Sequence, residues 1–362
     1  MKKLAIAAAL VSTGIAAEGS IWKDPVDGKL DASRWLLENA YGFLPVPFMI
    51  TDPAIGFGGG VAAVFFHETA EQKKIRKENP EKVTSIAPSM SGIVALGTEN
   101  GTKIGGGFHQ GNWKDDSIRL DVGAFNANIN INYFGFGAPI EMNTQGNYIY
   151  ADLDFRIAGS NFFAGAGYHY MDGHVIFGRD KSTQTSDKDV RVDMRMLYEN
   201  VDNPFSPTDG IKAKVIYSDY SARWGGENEH QRINVDVRSY YSINDTWQAA
   251  WRVNGVTTNG DVPFYARPYV EMRGITAMRY QGDNIAVAEA QIGYNITPRW
   301  QLVGFTGIGT AFEHTDKTAH WNNMAGVGFR HTIARQLGIK WGVDAARSQH
   351  DTTIQIKFGS AF

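Results

Sequence analysis

The chain has 362 residues, no cysteine, a formal net charge of -3, 40 glycines and 12% aromatic residues. Without cysteine there is neither a disulfide framework nor a thiol or cysteine-metal site, and the near-neutral charge gives no footprint for nucleic acid. Beyond the first twenty residues no apolar run approaches the length of a membrane helix, which excludes a helical membrane protein and leaves a large exported β protein, either a periplasmic sandwich or an outer-membrane barrel.

The chain opens "MKKLAIAAALVSTGIAAEGS", with Lys2 and Lys3 ahead of an apolar run and small residues around Ala16 and Ala17. This pattern predicts a signal peptide over 1–17, cleaved after Ala16 or Ala17. Residues 18–42 then form a short N-terminal periplasmic segment with no room for a folded domain. Within it "DASRWLLENA" predicts one short helix starting near Asp31 or Ser33, either a surface turn or a plug entering the lumen across 31–40. "DPVDGKLD" lacks the ligand spacing and closing Glu of a calcium loop.

From residue 43 the sequence reads as alternating segments of period two, the signature of strands with one apolar face. In "FLPVPFMIT", Pro45 and Pro47 lie two apart, so both missing N–H groups fall on one edge of a strand over 43–51; the pair either weakens that edge or forms a lead-in before the strand. Further strands are expected near 56–67, 84–96, 103–112, 116–126, 147–157, 161–171, 189–199, 210–220, 231–242, 246–258, 284–296, 300–312, 322–333, 337–347 and 352–362. In "NYIYADLDFRIA", for example, Ile149, Ala151, Leu153, Phe155 and Ile157 alternate with Tyr150, Asp152, Asp154 and Arg156. "GFGGG" and "GFTGIG" fall in strands rather than at strand-to-helix turns, so they are not phosphate loops. The charged run "HETAEQKKIRKENPEK" at 67–82 reads as a solvated connection.

About sixteen strands of roughly ten residues match what a tilted strand needs to cross a bilayer. Short links at 243–246 and 296–299 fall on one side and longer loops at 127–146, 172–188 and 259–283 on the other, the asymmetry of an outer-membrane barrel with periplasmic termini. A final "TTIQIKFGSAF" ending on Phe362 fits an aromatic girdle. Alternation alone does not separate barrel from sandwich; the signal peptide, strand length and aromatic content favour the barrel. One interruption, "FYARPYVEMRGITAMRYQG" at 264–282, is too long for an idle loop and too apolar for disorder.

The ordered set "GFLPVPFMITDPAIGFGGG", "NYFGFGAPIE", "DNPFSPTDG", "VEMRGI", "AVAEAQIGY", "LVGFTGIGTAF", "AGVGFRH", "LGIKWGVDAAR" and "GSAF" resembles the bacterial surface antigen superfamily, the BamA and TamA type of outer-membrane barrel, in a short form lacking POTRA domains. Each motif is weak alone; their order and spacing over most of the mature chain carry the resemblance. It implies an all-β, transmembrane antiparallel barrel of about 16 strands over 43–362. The loop between the eleventh and twelfth strands folds inward, with Arg273 at its tip as a lumen latch, Gly274 permitting the turn and Glu289 as the wall acid. It further implies a lateral seam between first and last strands, at Pro45, Pro47, Phe358 and Phe362. Two positions depart from the family pattern: Ile275 replaces an aromatic residue and Gly307 an Asp, so Arg273 relies on Glu289 alone, or on Glu271 or Asp344.

The resemblance implies insertion or translocation of protein or lipid, or a gated pore; without POTRA domains the role of housekeeping insertase is not expected. A passive diffusion channel, or a surface barrel without transport, stands as the alternative. No Ser sits in an elbow motif, and His67, His109, His169, His174, His230, His314, His320, His331 and His350 show no metal spacing. No catalytic residue, metal or cofactor is therefore expected, and the chain is not read as an enzyme. The expected partners are outer-membrane lipids, the barrel-assembly machinery for its own insertion, and a client protein or lipid.

Overall fold

A computed structural model describes residues 22–24, 26–33, 43–67, 89–134, 139–177, 183–204, 206–315, 319–335, 338–358 and 362. The signal peptide, most of the helix expected over 31–40 and the charged run beyond His67 lie outside the described residues.

The alternating segments form sixteen strands: β1 (Phe43–Ile50), β2 (Gly58–His67), β3 (Ser89–Thr98), β4 (Lys103–Trp113), β5 (Ile118–Tyr133), β6 (Ile140–Arg156), β7 (Phe162–Phe177), β8 (Thr183–Glu199), β9 (Gly210–Tyr220), β10 (His230–Ser242), β11 (Trp247–Gly260), β12 (Asn284–Asn295), β13 (Trp300–Phe312), β14 (Asn322–Ala334), β15 (Ile339–Ser348) and β16 (Thr352–Phe358). They build one antiparallel sheet in chain order. At membrane level the outward rows are apolar, as with Ile149, Leu153 and Phe155 on β6, Met194 and Met196 on β8, and Ile292 and Tyr294 on β12. The inward rows carry buried Asp152, Asp154, Asp193, Asp236, Arg252, Arg330 and Asp344. Exposed Phe65, Trp113, Phe155, Phe162, Tyr241, Trp247, Tyr294 and Trp300 gather at one rim, where amphipathic rings sit at headgroup level.

Two expected loops are strand instead. Residues 127–146 and 172–188 were expected to be long connections, but β5 runs to Tyr133, β6 starts at Ile140, β7 runs to Phe177 and β8 starts at Thr183. The physical reason is a swap of polarity at the membrane boundary. In the lower part of β5, Leu120, Val122 and Ala124 face lipid; above it the same outward row becomes Asn126, Asn128, Asn130 and Asn132, while Ile129, Ile131 and Tyr133 turn inward. Outside, the amides ladder: Asn143 donates to Asn128 and Asn130 at 2.6 and 2.7 Å, and Gln145 to Asn143 at 2.7 Å.

The described part of the last strand, β16, runs to Phe358, and residues 359–361 of the expected strand lie outside the described residues. Phe362 lies inside the barrel rather than in an aromatic girdle or along the seam. Its ring is 5.1 Å from the Arg273 guanidinium, it packs beside buried Tyr240 and Ala250, and its carbonyl accepts from Arg238 Nη1 at 3.3 Å. A cation, an apolar patch and a donor together draw this terminus inward.

Candidate functional site

The segment between β11 and β12 packs inside the barrel at two levels. At the outer end Met278 joins buried Tyr133, Met142 and Val175, with Phe264, Tyr265 and Tyr269 packed against them; the Phe264 ring meets Phe177 at 4.6 Å and Tyr133 at 5.5 Å. The inward-turned apolar faces of the long strands therefore cover this loop. Deeper down, Val270, Met272 and Ile275 pack on Ile285, Val287, Val303, Phe305, Met324 and Ala346. Each buried apolar side chain of this kind contributes roughly 2 kcal/mol by transfer from water.

Within the deeper cluster the chain turns at Gly274, whose φ of +78° is left-handed and whose amide donates to Thr353 Oγ1 at 3.1 Å. Beside it Arg273 is 4% exposed. Its Nε donates to Glu289 Oε1 at 3.1 Å, and its Nη1 to Gln291 Oε1 at 2.8 Å and Asp344 Oδ2 at 3.3 Å, while the guanidinium lies 3.8 Å over the Phe305 ring. Asp344 therefore supplies the second acid, and Glu271, which is exposed, does not. Gly307 has a steric cause: a Cβ there would come 2.8 Å from Met272 Sδ and 2.9 Å from Met324 Cε. The thioether occupies the space an Asp would need, and Ile275 replaces an aromatic ring within the same packed cluster.

The seam residues are distributed differently from expectation. Pro45 and Pro47 belong to β1 proper, in register with Ala63 and Val61 of β2, so they are not a lead-in. Phe358 closes β16 opposite Trp341, and Phe362 is away from the edge. Every strand is laddered to its chain neighbours, but β1 and β16 approach each other with no ladder pairing among the described residues.

A third arrangement was not anticipated. "DPVDGKLD" forms a tight hairpin, with Lys23 bridged to Leu30 and Gly28 at φ +66°. Its three aspartates surround Arg299 of the β12–β13 link: Asp24 at 2.7 Å, Asp27 at 2.5 Å and Asp31 at 2.8 Å. Arg335, just past β14, donates to both oxygens of Asp24 at 2.5 and 3.1 Å and gives its amide to Asp31 at 2.9 Å. Ala32 N–H donates to Ile333 O at 2.8 Å. The Arg299 guanidinium beside Asp27 holds that carboxyl down at about 2, and Arg335 lowers Asp24 likewise. The spacing that fails for calcium fits a guanidinium; the signal was three aspartates against an arginine in a short link.

The wall opposite the loop carries a second charged network. His169 Nε2 lies 3.1 Å from both Asp152 Oδ1 and Asp193 Oδ2, a juxtaposition of three residues of cation-binding type that the spacing of histidines did not reveal. Arg191 Nη2 donates to His169 Nδ1 at 3.0 Å, which leaves the ring proton on Nε2 to serve the carboxylates. Arg195 bridges Asp152 and Asp154, and Arg191 Nε donates to Asp193 at 3.1 Å. The carboxylates are thus engaged by guanidinium groups, and the cluster reads as a lumen-wall brace.

Sixteen antiparallel strands, lipid-facing apolar rows, a charged interior and a long segment packed within it define a transmembrane β-barrel with an occupied lumen. A model of the Omp85 superfamily domain matches residues 97–359, most of the chain, and the protein belongs to the Omp85 superfamily. That fold implies the bacterial outer membrane. Among solved structures it is similar to BamA from Haemophilus ducreyi lacking POTRA domains 1–3, at 12% identity and a TM-score of 0.58 over 93% of this chain and 80% of that one. It is also similar to CdiB from Acinetobacter baumannii, at 11% identity and a TM-score of 0.58, and to CdiB from Escherichia coli, at 8% and 0.59. Each CdiB match covers 87% of this chain, which spans 59% and 61% of those two proteins.

Proposed function

We propose that this barrel assists lateral insertion or translocation at the outer membrane, with the Arg273 loop as a lumen latch and the β1–β16 seam as the part that opens toward lipid. The unladdered seam carries the reading: strand edges with free N–H and C=O groups are templates for another strand, and a barrel made only for permeability closes them. Pro45 and Pro47 limit what β1 can donate. The latch is linked to the seam through β16, since Gly274 N–H bonds Thr353 and Thr276 N–H bonds Asp351 at 3.1 Å. The proposed client is a protein or lipid, and the proposed partners are membrane lipids and the machinery that inserts this barrel itself.

The test is a reversible lock. Met49 lies at the opposite end of the seam from Phe358, so the cysteine pair belongs at Met49 and Thr352, which share one end. Met49→Cys with Thr352→Cys, joined by a short cleavable bismaleimide, should abolish accelerated folding of a small denatured barrel client into proteoliposomes, and cleavage should restore it. Full acceleration by the locked protein would refute the seam mechanism.

A further inference from the structure

Beside the seam, the inner faces of β14, β15 and β16 present a row of cations. Arg330 pairs in register with Gly342, and Gly342 with Lys357; Lys340 lies two residues along β15 on the same face. Gly342 is required here: a Cβ would come 2.0 Å from Phe329 O and 2.7 Å from Arg330 Cδ. The arginine therefore crosses bare backbone to reach Asp344, with contacts of 2.5 and 2.9 Å.

The acids nearest the two lysines along the sheet are already engaged. Asp344 is shared by Arg330 and Arg273, and Glu289 by Arg273 and Arg252. Asp202, on the β8–β9 link, accepts from Thr208 and Asp209. Lys340 and Lys357 have no hydrogen bond or ion pair with any described residue. Diagonal neighbours on one sheet face stand about 7–8 Å apart, close enough for like charges to repel where water is limited. Both lysines border open space. Lys340 lines a cavity of about 380 Å³ at the periplasmic mouth with Gln248, Asn295, Gln301 and Arg330. Lys357 faces a central cavity, also about 380 Å³, together with Lys214 and Arg238 and with the carboxylates of Asp52, Asp236 and Glu271. Arg330 Nε is buried without an acceptor.

We propose that Lys340 and Lys357 form a lumenal oxyanion site, entered from the periplasmic mouth, for a phosphate- or carboxylate-bearing ligand. Two ammonium groups, an unused guanidinium N–H and the amide of Gln248, whose carbonyl accepts from Gln301, supply the donors such a group takes. The site does not depend on whether the seam opens.

The test uses the purified full barrel in detergent and its thermal unfolding midpoint, read by heat-modifiable gel mobility, in millimolar inorganic phosphate against sodium chloride of equal ionic strength. A ligand that binds only the folded state raises the midpoint. Phosphate should raise it by several degrees in the wild type and in K340R/K357R, and not in K340Q/K357Q. Without phosphate the glutamine variant should be at least as stable as wild type, because the repulsion is gone; a purely structural role predicts the reverse. An equal rise in the glutamine variant would mark a general salt effect and overturn the site, as would no rise in wild type. Glycerophosphate against acetate then identifies the preferred group by the larger shift.

Discussion

At the residue scale the interior depends on how few charges are left unpaired. Arg273 neutralises Glu289 and Asp344 at once, and both acids keep a second arginine. Arg273→Ala should therefore destabilise by about 3 kcal/mol, the lower end for breaking a buried pair, measured as a lowered midpoint in urea-induced unfolding from detergent micelles. Gly274→Ala tests the turn alone. Its φ of +78° and a Cβ only 3.1 Å from Ala346 Cβ predict a loss of about 1–2 kcal/mol from the left-handed backbone, without removing any charge. These residues were legible from family resemblance, but the identity of the second acid was not. Asp344 lies 71 residues from Arg273, and only closure of the sheet brings them together.

Among the elements, the N-terminal hairpin has the clearest consequence. It grips the β12–β13 and β14–β15 links, on the β16 side of the seam, and twelve residues after Asp31 the chain enters β1 on the other side. The hairpin therefore anchors the chain ahead of β1 to the β16 side of the seam at the periplasmic end. Its aspartates have folded-state affinities for protons below the ordinary value near 4. Their contribution is fully present above that value and lost as pH falls toward about 2, where Asp27 takes its proton. Trypsin cleavage after Lys23 or Lys29, scaled at each pH to that of an unfolded peptide substrate, is expected to be slow and constant from pH 6 to 8. Asp24→Asn with Asp31→Asn, which leaves Arg299 under-neutralised, should accelerate it at least tenfold at neutral pH. Unchanged cleavage would mean that the hairpin is held by something other than these ion pairs. The extensions of β5 to β8 teach a different lesson: "NANININY" is as regular as any strand in the chain. Its apolar row sits on the opposite parity from the lipid-facing row before it, so a reading that follows lipid-facing residues stops at the boundary.

For the whole molecule the question is whether the packed loop closes the lumen. Two apolar clusters and the Arg273 contacts hold it across the interior, with cavities to either side. Planar-bilayer recordings should give low, flickering conductance for the wild type and large, steady conductance for Arg273→Ala. Large, steady conductance in both would place the loop outside the conduction path and favour a passive diffusion channel.

The sequence by itself determined the number of strands, which rows face lipid, the position of the interrupting loop and the superfamily, because each of these is written in local period or in motif order. Only the tertiary structure decided what the charges do. The acid that completes the Arg273 contacts, the three aspartates around Arg299, the brace at His169 and the two lysines without a carboxylate all join residues far apart in the chain. Their pairing follows from strand register and from glycines such as Gly307 and Gly342, whose missing side chains open the space that Met272 and Arg330 fill.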